Sequence, residues 1–304
     1  MTNTAIAPRQ PRRRTGLGRR PWMDWMILPA LIAIGVVIGY PIVRAIQLST
    51  TEFNPLAGAD PTPVGTANFE QLVDDPIFWE ALRNTAIYTF GSVAIAAIIG
   101  AMVALLVENL SGRARVVKTL LLTPWAVPFV VVAFLFRYMF DAQSGVINAL
   151  LMDLNITDQP VDWLVSSTWA LPTVVAANVW AQTPFFVLVF GAALAAVPNE
   201  VIESARVDST RGLAMARHIK LPYMRNAALI ASLLMVVANF NDFGKIWAMT
   251  EGGPGYATTT LVVWVYRLAF TSFELGYASA VGVIWLVLLL LFAIAYARML
   301  RRGS

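Results

Sequence analysis

Residues 84–107 read NTAIYTFGSVAIAAIIGAMVALLV and contain no charged side chain. The hydrocarbon core of a bilayer is about 30 Å thick, which a helix of roughly 20 apolar residues can cross. Hydrocarbon offers the backbone no hydrogen-bond partners, so a crossing segment has to satisfy its own N–H and C=O groups as a helix. This stretch is therefore predicted to be a transmembrane helix.

Five other stretches have the same apolar character, at residues 25–48, 117–138, 168–190, 223–245 and 277–300. The first lacks a small-residue cleavage site and is long enough to cross, so we expect a span rather than a cleaved signal peptide. The sequence thus predicts an all-α integral membrane protein with six transmembrane helices. Prolines recur in the stretches, and we expect bends there because proline removes a backbone donor.

The composition excludes several classes of protein. Of the 304 residues, 58% are hydrophobic and only 13% are charged, whereas a soluble domain carries roughly 25% charged residues. The chain has no cysteine and a single histidine, which excludes a disulfide scaffold, a thiolate metal site and a histidine metal cluster. It contains no nucleophile–base pair and no G-x-x-x-x-G-K-[ST] phosphate loop. We therefore expect no catalytic and no metal-binding residues, and the chain is not expected to be an enzyme.

Basic residues are concentrated on alternate connections. The segments before the first stretch and after the second, fourth and sixth, counted with the adjoining ends of the stretches, hold 17 of the 22 lysines and arginines, and the opposite connections hold 12 of the 18 acidic residues. By the positive-inside rule, both termini are expected in the cytoplasm. Residues 1–24 are then a basic cytoplasmic tail and residues 25–304 a membrane domain. An Arg-rich tail can bind nucleic acid, but beside a span the membrane interpretation is favoured and no nucleic-acid partner is expected.

A polar run stands at the outer end of the fifth stretch, with Asn239, Asn241 and Asp242 in close succession. Such side chains need partners, and a translocation cavity for a polar solute or contact with a neighbouring subunit would supply them. The sequence leaves both alternatives open. Asp242 and Lys245 are three residues apart and can also simply pair on a helix.

The connection between the fourth and fifth stretches, residues 198–222, reads PNEVIESARVDSTRGLAMARHIKLP. Val201, Ile202 and Ala205 fall on one face of a short helix, and a second short helix is expected to end at Pro222. This pattern favours a helix-turn-helix along the cytoplasmic face of the membrane. A plain amphipathic linker on the lipid headgroups is the alternative.

The same loop resembles the EAA motif of permease subunits of ATP-binding-cassette importers, which reads E-A-A-x-x-D-G-A followed by I-x-L-P. The matching residues are Glu203, Ala205 and Asp208, followed by residues 219–222, whereas Ser204 stands where the family has its first alanine. Ser209 stands where the family has the glycine of the turn, and the sequence leaves two alternatives open: Gly212 supplies the turn instead, or Ser209 itself adopts the turn at some strain.

Other segments resemble the carbohydrate-uptake branch of this family, the MalF/UgpA type. They are W-x-x-x-P-F at residues 180–185, T-x-G-G-P at residues 250–254, and the pattern that leads into the sixth stretch at residues 266–280. The resemblance covers nearly the whole chain after residue 25. It implies the six-helix fold of type I importer permeases, also called MetI-like.

The resemblance also implies partners in a bacterial cytoplasmic membrane. They are a second permease subunit, two copies of an ATPase that binds ATP and Mg²⁺, and an extracytoplasmic solute-binding lipoprotein. No cofactor is then expected in this chain. The residues implied to dock on the ATPase are Glu203, Ser204, Ala205, Asp208, Ser209 and Gly212, with Glu203 pairing with a basic residue and Ala205 packing in a groove of the ATPase.

Sugar hydroxyls need flat aromatic faces and amide or carboxylate partners. The candidates for the substrate path are Asn239, Asn241, Asp242, Trp180 and Gln182. A saccharide of any length and a polyol phosphate all remain open as the solute. The alternative function is a stand-alone secondary transporter for a small polar solute, against which the absence of a buried proton relay argues.

Overall fold

The fold is taken from a computed structural model, which describes residues 27–58, 60–108, 110, 115–208, 210 and 212–303. The expected basic tail, residues 1–24, lies outside them. The chain divides into two compact units, with the boundary between Arg44 and Ala45. Helix α1 spans Leu28–Leu48.

The second unit is almost entirely helical. A short antiparallel hairpin pairs β1 (Thr51–Glu52) with β2 (Thr62–Pro63), and a 3₁₀ turn (Pro55–Ala57) lies between them. The helices that follow are α2 (Ala67–Asp74), α3 (Pro76–Val107), α4 (Arg115–Leu120), α5 (Thr123–Ala126), α6 (Phe129–Met139), α7 (Val146–Asp153), α8 (Ala170–Ala195), α9 (Asn199–Val207), α10 (Gly212–Phe240), α11 (Gly244–Thr250), α12 (Leu261–Phe270) and α13 (Leu275–Gly303).

The expected number of spans is confirmed. Among the described residues, five helices are long and apolar enough to cross a membrane, and a bent pair of helices brings the number to six. The five are α1, α3, α8, α10 and α13, and the bent pair comprises residues 116–126 and α6.

The prediction of one continuous helix over residues 117–138 is wrong. The two parts of this stretch meet at an angle of 96°. Val127 has an extended backbone, with φ −77° and ψ 127°, and Pro128 is the N-cap of α6. The reason is steric, because the proline ring disfavours the helical region for the preceding residue.

The fifth stretch is also shifted. Helix α10 begins at Gly212 rather than at residue 223, and it ends at Phe240 rather than at Lys245.

Pro222 does not end a short helix as expected. A π turn at Ala216–Lys220 lies immediately before it, and the Leu221 N–H donates to the Ala216 carbonyl. This wider turn gives the proline ring room without ending the helix.

Helices α3 and α8 form the centre of the second unit. The small residues Ala96, Gly100 and Ala104 recur every four positions on one face of α3, which lets the backbones of two helices approach closely. A Cβ at residue 100 would lie 2.5 Å from the Cβ of Phe186, which is fully buried on α8. Glycine is therefore required at this crossing.

A second cluster of buried side chains covers the end of α3 that is expected to be extracytoplasmic. Its members come from α2, the start of α3, α12 and the start of α13: Leu72, Phe78, Ala81, Leu261, Trp264 and Val281. The Asn84 amide donates to the carbonyls of Tyr256 and Thr259, at 3.0 and 3.1 Å. The sequence did not predict helix α12, because its ten residues are too few to cross a bilayer.

Replacing Gly100 by alanine is expected to destabilise the protein. The added methyl group has no room against Phe186, and overpacking of this kind costs typically 1–3 kcal/mol, so about 2 kcal/mol is expected here. Thermal unfolding of the purified protein in detergent measures the effect. Gly191→Ala on α8 is the matched control, because a Cβ there meets nothing within 4 Å. Equal melting temperatures for the two variants would contradict the close packing of α3 on α8.

Candidate solute cavity and coupling surface

A cavity of about 370 Å³ lies between two interruptions of the helical backbone, one inside a span and one at the end of a span. One interruption separates α5 from α6 and the other separates α10 from α11. Helix α8 closes a third side. The polar and aromatic residues of the lining are Trp125, Phe129, Asn178, Gln182, Asn239, Asn241, Asp242 and Lys245. Non-helical backbone at membrane depth is tolerated where it lines such a cavity.

The two interruptions are held side by side by a close contact. Gly244 begins α11, and a Cβ at this position would collide with the ring of Phe129 at the start of α6. The absence of a side chain at residue 244 therefore lets α11 lie against α6, and both helices leave the cavity in the same direction.

The charged residues of the cavity neutralise one another. The Lys245 Nζ lies 2.5 Å from Asp242 Oδ2, and the Tyr88 hydroxyl donates to the same oxygen at 2.6 Å. The Lys245 and Asp242 side chains are 17% and 12% exposed. The pairing that the sequence spacing allowed is thus present. Tyr88, from the π turn at Ile87–Gly91 of α3, was missed, because no sequence signal relates it to a residue 154 positions away.

The amide groups of the cavity are only partly satisfied. Asn239 Nδ2 donates to Gln182 Oε1 at 3.2 Å. The side-chain nitrogens of Asn178 and Gln182 have no hydrogen-bond partner, although these residues are only 1% and 6% exposed. Buried donors are nearly always paired with protein, water or a ligand. Two residues of the cavity lining, Asn178 and Gln182, therefore each carry an N–H₂ group without an acceptor in the described part of the chain.

Four of the five residues expected on the substrate path come together here, namely Gln182, Asn239, Asn241 and Asp242. Trp180 does not line the cavity. It lies in an apolar groove with residues of α3 and the segment before α6, because positions 180 and 182 point in opposite directions on a helix of 3.6 residues per turn. Trp125 supplies an aromatic ring in the cavity instead. Asn178 was missed, although it lies one turn before Gln182 on α8.

The coupling loop, residues 198–222, contains α9, a turn and the start of α10. Glu203, Ser204, Asp208 and Gly212 are exposed, and Ser209 lies outside the described residues. Gly212 has a φ of 55°, the left-handed conformation that glycine adopts at little cost, so it provides a turn of the kind expected of it.

Ala205 differs in exposure from its neighbours in the loop. It is only 7% exposed, because it packs within this chain. Its carbonyl accepts from the Thr210 N–H at 2.9 Å. The large apolar side chains that the described part of the loop exposes most are Val207 and Leu213, each 83% exposed.

An ion pair connects the coupling loop to another span. Lys220, in the π turn of α10, contacts the carboxylate of Glu108 at the end of α3. Lys118 of α4 donates to the backbone carbonyl of Glu108 at 3.1 Å. The ends of α3 and α4 and the start of α10 therefore meet at one end of the molecule, the end where basic residues were expected.

Variants can distinguish a structural role of the Asp242–Lys245 pair from a role in binding the solute. Asp242→Asn leaves Lys245 as a buried unpaired charge, and breaking a buried pair costs about 3–5 kcal/mol. The double variant Asp242→Asn/Lys245→Met is expected to recover most of that stability in a thermal-unfolding assay. If Asp242 also contacts the solute, uptake stays low in the stable double variant. Normal uptake by Asp242→Ala and Asn241→Ala would exclude both residues from the path.

Comparison with known proteins identifies the family. The model of the family described as "binding-protein-dependent transport system inner membrane component" matches residues 96–303. A probable ABC transporter permease of Brucella suis is 32% identical over 281 residues, which cover 92% of this chain and 96% of the relative. The trehalose/maltose transport system permease of Thermococcus litoralis is also 32% identical, over 277 residues, which cover 90% and 91% of the two chains.

The fold is shared with a solved transporter. A chain from the crystal structure of a bacterial alginate ABC transporter, in complex with an alginate pentasaccharide-bound periplasmic protein, superposes with a TM-score of 0.79. The superposition covers 93% of this chain and 95% of that chain at 22% identity. With a family model that matches most of its length and relatives similar from end to end, this chain belongs to the inner-membrane permease components of binding-protein-dependent transport systems.

Proposed function

We propose that this chain is one permease subunit of an ATP-driven importer and forms part of the path for a sugar or sugar-like solute. The observation that carries the proposal is the cavity at the two helix interruptions, with its unpartnered amide donors on Asn178 and Gln182. Amide donors and the ring of Trp125 match the hydroxyl oxygens and the flat C–H faces of a sugar. The relative from Thermococcus litoralis is a permease for trehalose and maltose.

The other parts of the importer are proposed from the family. A second permease completes the path, two copies of an ATPase bind ATP and Mg²⁺ and carry out the hydrolysis, and an extracytoplasmic binding protein delivers the solute. Both termini face the cytoplasm of a bacterium. The stand-alone secondary transporter is disfavoured, because the one carboxylate among the described residues that line the solute cavity, Asp242, is already paired with Lys245 and bonded by Tyr88.

One continuous helix connects the coupling loop to the solute cavity. Helix α10 runs for 29 residues, from Gly212 at the loop to Phe240 beside the cavity, and Asn239 stands in its last turn. At 1.5 Å per residue this helix is about 40 Å long. A displacement of the loop by the ATPase therefore moves the cavity residue directly, as a rigid-body change of access requires.

Uptake by the reconstituted complex tests the proposal. The chain is co-expressed with its encoded neighbours, purified in detergent and placed in proteoliposomes with a panel of labelled sugars. We expect uptake that requires ATP on the ATPase side and the binding protein on the other side. Uptake that proceeds without ATP and follows an ion gradient would establish the secondary transporter instead.

Glu203→Ala is expected to weaken the coupling between ATPase and permease. Glu203 is exposed on α9 and is proposed to pair with a basic residue of the ATPase. Coupling free energies are typically worth 5–150-fold, so we expect ATP-dependent uptake to fall by roughly tenfold at unchanged abundance. Asp153→Ala removes an exposed carboxylate from α7, outside the coupling loop, and is the control. Equal uptake by the two variants would remove Glu203 from the coupling surface.

The Glu108–Lys220 ion pair is proposed to make α3 move together with the coupling loop. Glu108→Gln leaves the Lys220 side chain, which is 15% exposed, without its charged partner. We expect fewer solute molecules imported per ATP hydrolysed. The exchange Glu108→Lys/Lys220→Glu restores the pair with reversed charges and is expected to recover the ratio. A ratio unchanged in the single variant, or not recovered by the exchange, would contradict this role.

A further inference from the structure

A second cavity of about 370 Å³ lies at the far ends of α6 and α11, toward the expected extracytoplasmic side. Each of the two helices contributes to both cavities. Phe129 and Lys245 line the solute cavity, whereas Arg137 and Thr250 line the outer one. From Phe129 to Arg137 the helix rises by about 12 Å. The outer cavity therefore lies about two helical turns beyond the solute cavity along the same pair of helices.

The outer cavity has an excess of negative charge. Three carboxylates line it, those of Asp141, Asp162 and Glu251, against the single guanidinium of Arg137. Hydrogen bonds from the Ser144 N–H and hydroxyl and from the Gln143 N–H lower the pKa of Asp141, so this carboxylate stays ionised. Arg267 lies nearby, but it donates to the backbone carbonyl of Glu251 and forms no ion pair within the described part of the chain.

The solute cavity is neutral. Its one cationic side chain among the described lining residues, Lys245, is already paired with Asp242. The groups left without a partner are the amide nitrogens of Asn178 and Gln182, which are neutral donors. A carboxylate or phosphate moved into such a site would lose its hydration without gaining a counter-charge, which is unfavourable. Hydroxyl groups need only the hydrogen bonds that the amides offer.

We propose that the path through this subunit selects uncharged, polyhydroxylated solutes and rejects anionic ones such as uronates and sugar phosphates. The inference rests on the proposed import of a sugar and narrows it. The outer cavity repels anions before they enter, and the inner cavity gives them no free cation. Both cavities therefore select for the charge of the solute, at two successive points of one path.

Matched pairs of solutes test the solute class. Proteoliposomes with the complete transporter and its binding protein are offered glucose against glucuronate, galactose against galacturonate, and glycerol against glycerol 3-phosphate. We expect the neutral member to be imported at least about tenfold faster wherever a pair is transported. Preference for the anionic member would overturn the inference. ATP-dependent import of a solute that is not a carbohydrate or polyol, with none of the pairs moving, would overturn the proposed function and the inference with it.

Variants of the outer cavity separate its effect from that of the binding protein. Asp162→Asn/Glu251→Gln removes two exposed carboxylates from the lining and keeps the side-chain shapes. The control is Asp153→Asn/Asp158→Asn, which removes two exposed carboxylates that line neither cavity. Both are measured for the ratio of neutral to anionic uptake, in low salt and at 0.5 M salt.

The cavity variant is expected to lower this ratio about threefold or more in low salt, and the difference is expected to disappear in high salt, where the Debye length falls to a few ångströms. The control variant is expected to keep the ratio of the original protein at both salt concentrations. A ratio that is equal in the variant, the control and the original protein would mean that the binding protein alone selects the charge of the solute, which would overturn the inference.

Discussion

The requirement that every backbone N–H and C=O be paired inside hydrocarbon governs this structure. It makes the apolar stretches helical, and it permits an interruption only where protein surrounds the exposed backbone. The break at Val127–Pro128 inside one membrane segment and the turn at residues 241–243 after another accordingly border one cavity. Gly244 allows the contact with Phe129 that keeps them together. The cavity thus follows from the places where the helices cannot continue.

The continuity of α10 explains how movement at one end of the molecule reaches the other. A proline in the middle of α10 would normally break the helix, but the π turn at Ala216–Lys220 absorbs Pro222 and leaves one rod from the coupling loop to Asn239. Lys220 lies in that turn and holds Glu108 of α3. Three spans are therefore attached to the coupling loop, α8 and α10 through the backbone and α3 through an ion pair.

Sequence reasoning failed at particular residues for identifiable reasons. Apolar length marks a span but does not show that Val127 leaves the helical region, so the third stretch was expected to bend at its prolines and not to be interrupted. Helical spacing placed Ala205 on an apolar face but did not show that this face packs against its own chain. Trp180 and Gln182 are close in sequence and point to opposite sides of α8, and only the packing of α8 decides which side faces the cavity.

The sequence by itself determined the six spans, the expected orientation, the coupling loop and the polar run at residues 239–242, because length, charge and local spacing are properties of single segments. The tertiary structure alone decided that Asn178, Trp125 and Tyr88 join that polar run, that Asp242 is neutralised, and that two cavities line up along α6 and α11. These facts depend on contacts between segments far apart in the chain. The packing of one helix on another fixes such contacts, and no local pattern of residues records them.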